Sequence, residues 1–190
     1  LVRDLFDLGV RDFGENRDQE AKPKAAQVAE LVASKDFDYK WHFIGQLQSN
    51  KVRSALSYSS VIHSVDRQSL LDAIIKAVAE RSDPLDVFIQ LNLTDDPGRG
   101  GIEPKHLEPF AEQVLAIKNL NLLGVMGVAS LERAPEVDFD TITKASEALT
   151  RIAPTAKFIS AGMSEDFEAA ISFGATHLRV GSAITGKRQN

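Results

Sequence analysis

Cysteine is absent from the chain, which excludes disulfides, thiol catalysis and cysteine-based metal sites. A surplus of basic charge is absent too: 22 Lys and Arg stand against 27 Asp and Glu, a formal net charge of −5. That balance gives nucleic acid and anionic membranes no general electrostatic hold, so any anion site must be local. No apolar run approaches the roughly 20 residues of a membrane span, and the first residues lack the basic, apolar and small segments of a signal peptide. The chain therefore reads as cytoplasmic. Two enzymatic motifs are missing as well: the G-x-G-x-x-G turn of dinucleotide folds and the G-x-S-x-G nucleophile elbow.

What is present suits one domain around one core, with 190 residues and 43% hydrophobic content. Seven β-rich runs recur: 10–15, 41–45, 61–65, 87–93, 122–128, 157–161 and 177–180. Several are almost continuously apolar, as in Val87-Phe88-Ile89-Gln90-Leu91, the pattern of a strand covered on both faces. Helical stripes lie between them. Leu70, Leu71, Ile74, Ile75 and Val78 share one face of a helix that Asp66 is placed to cap, and Ile142, Ala145, Leu149 and Ile152 repeat the spacing. Gly9 and Gly174 each end a helical run before a strand, where a left-handed residue is wanted. Alternating βα units predict an α/β fold with a parallel sheet. Without a Gly-rich first turn, a TIM-type (β/α) barrel is preferred to an open doubly wound sheet. A closed barrel needs eight strands; the chain opens on Leu1-Val2-Arg3 in a helical pattern, so the absent strand is expected to be the first.

Working residues of such barrels sit at the C-terminal ends of strands. The last two ends are the most informative. Gly162 and Gly181 permit close backbone approach to a ligand, and Ser164 and Ser182 add hydroxyls near helix starts, a combination that suits a phosphate. The plainer alternative is that Ser164 caps the helix containing Phe167 and Ile171. Arg179, between Leu178 and Val180, points away from its apolar neighbours and needs a partner, either a ligand or a carboxylate such as Glu15. His42 and His63 lie in apolar runs without partners at metal-ligand spacing, so they read as packed histidines and no metal is assigned. The segment Asp95-Asp96-Pro97-Gly98-Arg99-Gly100-Gly101 reads as a flexible loop, with a lid or an anion contact through Arg99 as alternatives.

These strand ends resemble the YggS/PROSC-type pyridoxal 5'-phosphate (PLP) homeostasis proteins, whose barrel is similar to the N-terminal domain of alanine racemase. The resemblance runs the length of the chain. It is carried by Phe13-Gly14-Glu15-Asn16 with Gln19-Glu20, by the stretch from Trp41-His42-Phe43-Ile44-Gly45 to Lys51, and by His63-Ser64-Val65-Asp66-Arg67. Gly162-Met163-Ser164 with Asp166, and Arg179-Val180-Gly181-Ser182-Ala183-Ile184, complete it. It implies that Ser164, Gly181 and Ser182 bind the cofactor phosphate and that Arg179 faces the pyridine nitrogen. Asn16, Met126 and Met163 are the remaining cofactor-binding positions, Asn16 and Met126 bordering the ring. The Schiff-base lysine of the family belongs to the first strand, ahead of Leu1. Thr185 departs from the family, which commonly places an aromatic residue there.

The resemblance implies a PLP carrier or buffer without turnover, whose partners are PLP and PLP-dependent apoenzymes; a monomer is the expected state. A guanidinium donating to the pyridine nitrogen keeps that nitrogen unprotonated and the cofactor a poor electron sink. The competing reading is a racemase-like PLP enzyme, which needs two acid/base groups on opposite faces of the substrate. Only Tyr39 and Tyr58 could supply the tyrosine that alanine racemase uses, and neither is at a strand end. A barrel for another phosphorylated metabolite is the third reading.

Overall fold

The computed structural model describes residues 2–33, 38–79, 81–94 and 96–186; Leu1 and Asp95 lie outside the described residues. Seven strands form one sheet: β1 (Asp12–Glu15), β2 (Lys40–Phe43), β3 (Val61–Val65), β4 (Leu85–Gln90), β5 (Leu120–Met126), β6 (Phe158–Met163) and β7 (His177–Arg179). The helices are α1 (Val2–Asp7), α2 (Asp18–Val32), α3 (Val52–Ala55), α4 (Gln68–Val78), α5 (Leu107–Leu115), α6 (Pro135–Ile152), α7 (Phe167–Ser172) and α8 (Ser182–Thr185). Every neighbouring pair of strands is parallel. The spatial order is β1 to β7 without reversal, which excludes the doubly wound alternative.

The sheet is rolled rather than flat. Laid flat, β2 and β7 would stand five strand spacings apart, about 24 Å. Yet the His42 ring on β2 and the His177 ring on β7 have centroids 6.5 Å apart. Strand alternation explains what fills the roll: Phe88 points inward to stack on His63 at 4.5 Å, while its neighbours Val87 and Ile89 point outward into the helix layer. Val61, Phe88 and Met126 form the buried inner cluster; Leu70, Ile74, Leu107, Phe110, Phe139 and Ile142 pack the outer one. Each such buried side chain contributes roughly 1.5 to 3 kcal/mol. The result is a nearly closed TIM-type barrel. Among the described residues no pairing joins β7 to β1.

Both expected glycine caps are formed. Gly9 has φ +93°, with Gly9 N donating to Phe6 O and Val10 N to Leu5 O; Gly174 has φ +86° and repeats the pair toward Ile171 O and Ala170 O. This is the same Schellman stop used twice. Other expectations need correction. Five of the seven strand runs are displaced by about two residues at one end or both. Asp66 does not cap α4: Arg67 occupies the cap position, and the Asp66 carboxylate accepts from Arg67 and Gln46 instead. Ile152 is 38% exposed at the last residue of α6, beyond the core.

The polar segment after β4 is also not a free loop. Asp96 accepts from Gly98 N at 2.8 Å, the Asn92 amide donates to Asp96 O, and Ile102 N donates to Gln90 O. Gly100, at φ +68°, lies so close over Asp66 and Gln46 that a Cβ there would stand 2.8 Å from the Asp66 carboxylate. The sequence composition showed the turn but not its tertiary anchors.

Candidate functional site

At the ends of β6 and β7 two backbone amides converge on one oxygen. Gly181 N and Ala183 N both donate to Ser164 Oγ, at 3.2 and 3.3 Å. Ser164 is therefore not the cap of α7, which starts after Asp166; the Asp166 carboxylate turns back to accept from Met163 N at 2.6 Å. A Cβ added to Gly181 meets nothing within 4 Å, so that side of the backbone is open. Ser182 begins α8 and is exposed. Thr185 folds its hydroxyl back to donate to Gly181 O. Gly162 has another purpose than the one expected: at φ +89° a Cβ would meet Ala170 Cβ at 2.7 Å, so the glycine lets β6 pack against α7.

Arg179 ends β7 and points into the barrel, as alternation predicts. It makes no salt bridge to Glu15, which pairs with Lys24. Instead Nη1 donates to Ser160 O and Ser160 Oγ, both at 2.8 Å, and Nη2 donates to Gly127 O at 2.8 Å. Three neutral acceptors thus fix the guanidinium plane. Nε and one Nη2 hydrogen remain without a partner among the described residues. Burial pushes the guanidinium pKa down to about 10, opposed by nearby Asp166, and it stays charged at neutral pH.

Beneath Arg179 the two packed histidines are hydrogen-bonded to each other. His42 Nδ1 lies 2.8 Å from His63 Nε2, His42 Nε2 lies 2.9 Å from Asp12, and His63 Nδ1 lies 2.8 Å from Ser160 Oγ. Burial lowers the pKa of both rings from the ordinary histidine value, opposed at His42 by Asp12, and for His63 the neighbouring His42 and Arg179 add to the effect. Among the described residues no group of histidines and carboxylates is arranged to hold a metal ion.

The structure thus gathers Ser164, Gly181 and Ser182 beside Arg179. Met163 pairs in register with Arg179, and Met126 immediately precedes Gly127, whose carbonyl accepts from Arg179. Asn16 is exposed after β1, with its carbonyl packed closely against Gly45.

Residues 2–189 match the alanine racemase N-terminal domain family. A pyridoxal phosphate homeostasis protein of Mycobacterium leprae is 39% identical, over 96% of this chain and 76% of its own length. One from Aquifex aeolicus is 36% identical, over 100% and 82%. The chain belongs to the pyridoxal phosphate homeostasis protein family. PipY of Synechococcus elongatus, solved with PLP bound, superimposes with a TM-score of 0.86 at 32% identity, over 97% of this chain and 86% of PipY. Alanine racemase from Corynebacterium glutamicum, at 17% identity and a TM-score of 0.65, shares the fold; the match spans 93% of this chain and 49% of the racemase.

For a pyridoxal phosphate homeostasis protein, sequence reading missed the Ala183 amide, the Gly127 carbonyl and the Ser160 hydroxyl that surround the expected residues. Backbone groups carry no residue signal. Ser160 had one: a serine inside an apolar strand run, two residues before Gly162, marks a buried polar atom in need of partners.

Proposed function

We propose that this chain is a single-domain PLP-binding barrel that carries and buffers the cofactor in the cytoplasm without turning over a substrate. One observation carries the reading: Arg179, locked by three neutral acceptors at a strand end, keeps two donors free beside amides that converge on a single oxygen. That donor set fits an aromatic nitrogen next to a phosphate. Ser164, Gly181 and Ser182, with the Ala183 amide, would hold the phosphate. A hollow of about 420 Å³ beside Ser164 is lined by Glu136, Glu165, Asp166 and Glu168, a carboxylate rim that repels an anion, so the phosphate belongs on the open Gly181 side. Asn16 and Met126 would border the ring, with Met163 a further cofactor-binding position.

PLP, when bound, can withdraw electrons from an attached amino acid through a protonated pyridine ring. Arg179 opposes that protonation: a charged group that only donates leaves the nitrogen as acceptor. The racemase alternative gains nothing here. Tyr58 donates to Asp18, which with burial raises its pKa well above the ordinary value, and Tyr39 packs edge-on against Phe6. The names of the matching relatives support PLP as ligand; PLP-dependent apoenzymes as recipients and a monomeric chain are part of the same proposal.

The test compares two substitutions in the full-length protein. Gly181→Val should weaken PLP retention at least tenfold, the worth of one charge-assisted hydrogen bond or more. Arg179→Glu should retain the phosphate but favour a protonated ring and expose slow transamination or racemisation. PLP release under dialysis is measured beside amino-acid turnover. Equal release by both variants with no new chemistry would make Arg179 a phosphate ligand and remove the physical basis of the carrier reading.

A further inference from the structure

Five side chains form one unbroken line through the barrel, from Asp12 at the start of β1 to Arg179 at the end of β7. The contacts are Asp12 to His42, His42 to His63, His63 to Ser160 and Ser160 to Arg179, at 2.9, 2.8, 2.8 and 2.8 Å. The fixed roles of the two ends determine every proton between them. A guanidinium can only donate, so Ser160 Oγ accepts from Arg179 Nη1. A carboxylate can only accept, so His42 carries a hydrogen on Nε2 toward Asp12. With His42 neutral, its Nδ1 is bare and must accept from His63 Nε2–H. With His63 neutral as well, its own Nδ1 is bare and must accept the Ser160 hydroxyl hydrogen. All four hydrogens point the same way.

We propose that Asp12, His42, His63 and Ser160 form a polarised hydrogen-bond chain that positions the Arg179 guanidinium, with both histidines neutral and protonated on Nε2. Each link makes the next acceptor stronger, so Ser160 binds Arg179 more firmly than an isolated serine would. The surroundings favour neutral rings. His63 is 2% exposed, stacked on Phe88, and faces His177 as well as His42 and Arg179; a cation there would be buried among donors. His63 and Ser160 are thus positioning residues. The chain itself stands on this geometry alone, whereas its bearing on the cofactor rests on the reading above.

Nitrogen-15 NMR of the ligand-free full-length protein near pH 7 reads the ring tautomers directly. Both rings should be neutral with hydrogen on Nε2; a charged ring, or hydrogen on Nδ1 of either, overturns the proposal. Asp12 is 69% exposed on its side chain, so its variants leave the core intact. Asp12→Ala should lose the single tautomer at His42 and at His63, and Asp12→Asn, whose amide oxygen still accepts, should restore it. Ser160→Ala should release PLP roughly tenfold faster, the worth of one hydrogen bond to a charged group, and Asp12→Ala should shift release in the same direction by less. If both variants hold PLP as the unaltered protein does, Arg179 is not positioned by the chain. If the unaltered protein fails to bind PLP, the carrier reading falls while the tautomers still decide the chain.

Discussion

At the residue scale the buried histidines make stability depend on pH in a defined direction. His42, His63 and His177 all have native pKa values lowered from 6.5, with desolvation the largest cause in each. In the unfolded chain they titrate near their ordinary value, so below it the unfolded state binds protons that the native state refuses. Stability is therefore complete above pH 6.5 and falls as pH drops through it, by about 1.4 kcal/mol per pH unit for each histidine that stays neutral. This window lies above the range where carboxylates titrate. Urea midpoints measured between pH 7 and 5 should fall steadily, and His63→Gln should flatten the slope relative to the parent even if it lowers stability throughout. An unchanged slope would mean that His63 becomes charged in the native state.

At the element scale two kinds of glycine do different work, and substitution separates them. Gly9 and Gly174 have positive φ with open space where a Cβ would go, so alanine there meets only the left-handed backbone penalty, about 1 to 2 kcal/mol. Gly127 has no such φ, but its Cβ would lie 2.4 Å from Ile142 Cδ1, and Ile142 is fully buried. Alanine there forces the α6 face to repack, at roughly 1 to 3 kcal/mol, and displaces the carbonyl that holds Arg179. Asparagine should recover part of the loss at 9 and 174, because it tolerates the left-handed region, and none at 127. Denaturant midpoints at constant slope measure this; equal behaviour at all three positions would refute the distinction.

The same contrast explains what the sequence disclosed. The Gly9 and Gly174 stops follow from local order and were legible, as were the inward aim of Arg179 by strand alternation and the Leu70–Ile74 stripe. Asp66 was read as a local cap, and a cap was the plainer alternative for Ser164, because cap propensity is local; yet both spend their oxygens on distant partners, Gln46 in one case and Gly181 in the other. The histidine chain was beyond sequence reading for the same reason: His63 and Ser160 are 97 residues apart and meet only because the sheet rolls. Their polarity is hidden inside runs that read as core.

At the scale of the whole molecule the open side of the roll decides how the 190-residue chain behaves in isolation. β1 and β7 each have one unpaired edge among the described residues, and unpaired edges invite pairing with another chain. The two edges are not equal hazards. β1 is four residues long and carries Asp12 and Glu15, a charged edge of the kind that resists pairing. β7 is only three residues long, but exposed Ile171, Leu178 and Ile184, at 52, 38 and 60%, surround it. Three residues offer few backbone hydrogen bonds, so the apolar flank drives association and the edge orients it. The isolated chain should therefore self-associate with increasing concentration and unfold with poor cooperativity. Leu178→Lys combined with Ile184→Lys should suppress association, since both side chains are outside the inner cluster, whereas Lys substitutions beside β1 should change little. Sedimentation velocity over a roughly tenfold concentration range, paired with thermal unfolding, gives the answer. A monodisperse chain with a sharp transition at every concentration would show that the roll shields its own edges, and the β7 flank would then need another explanation for its exposure.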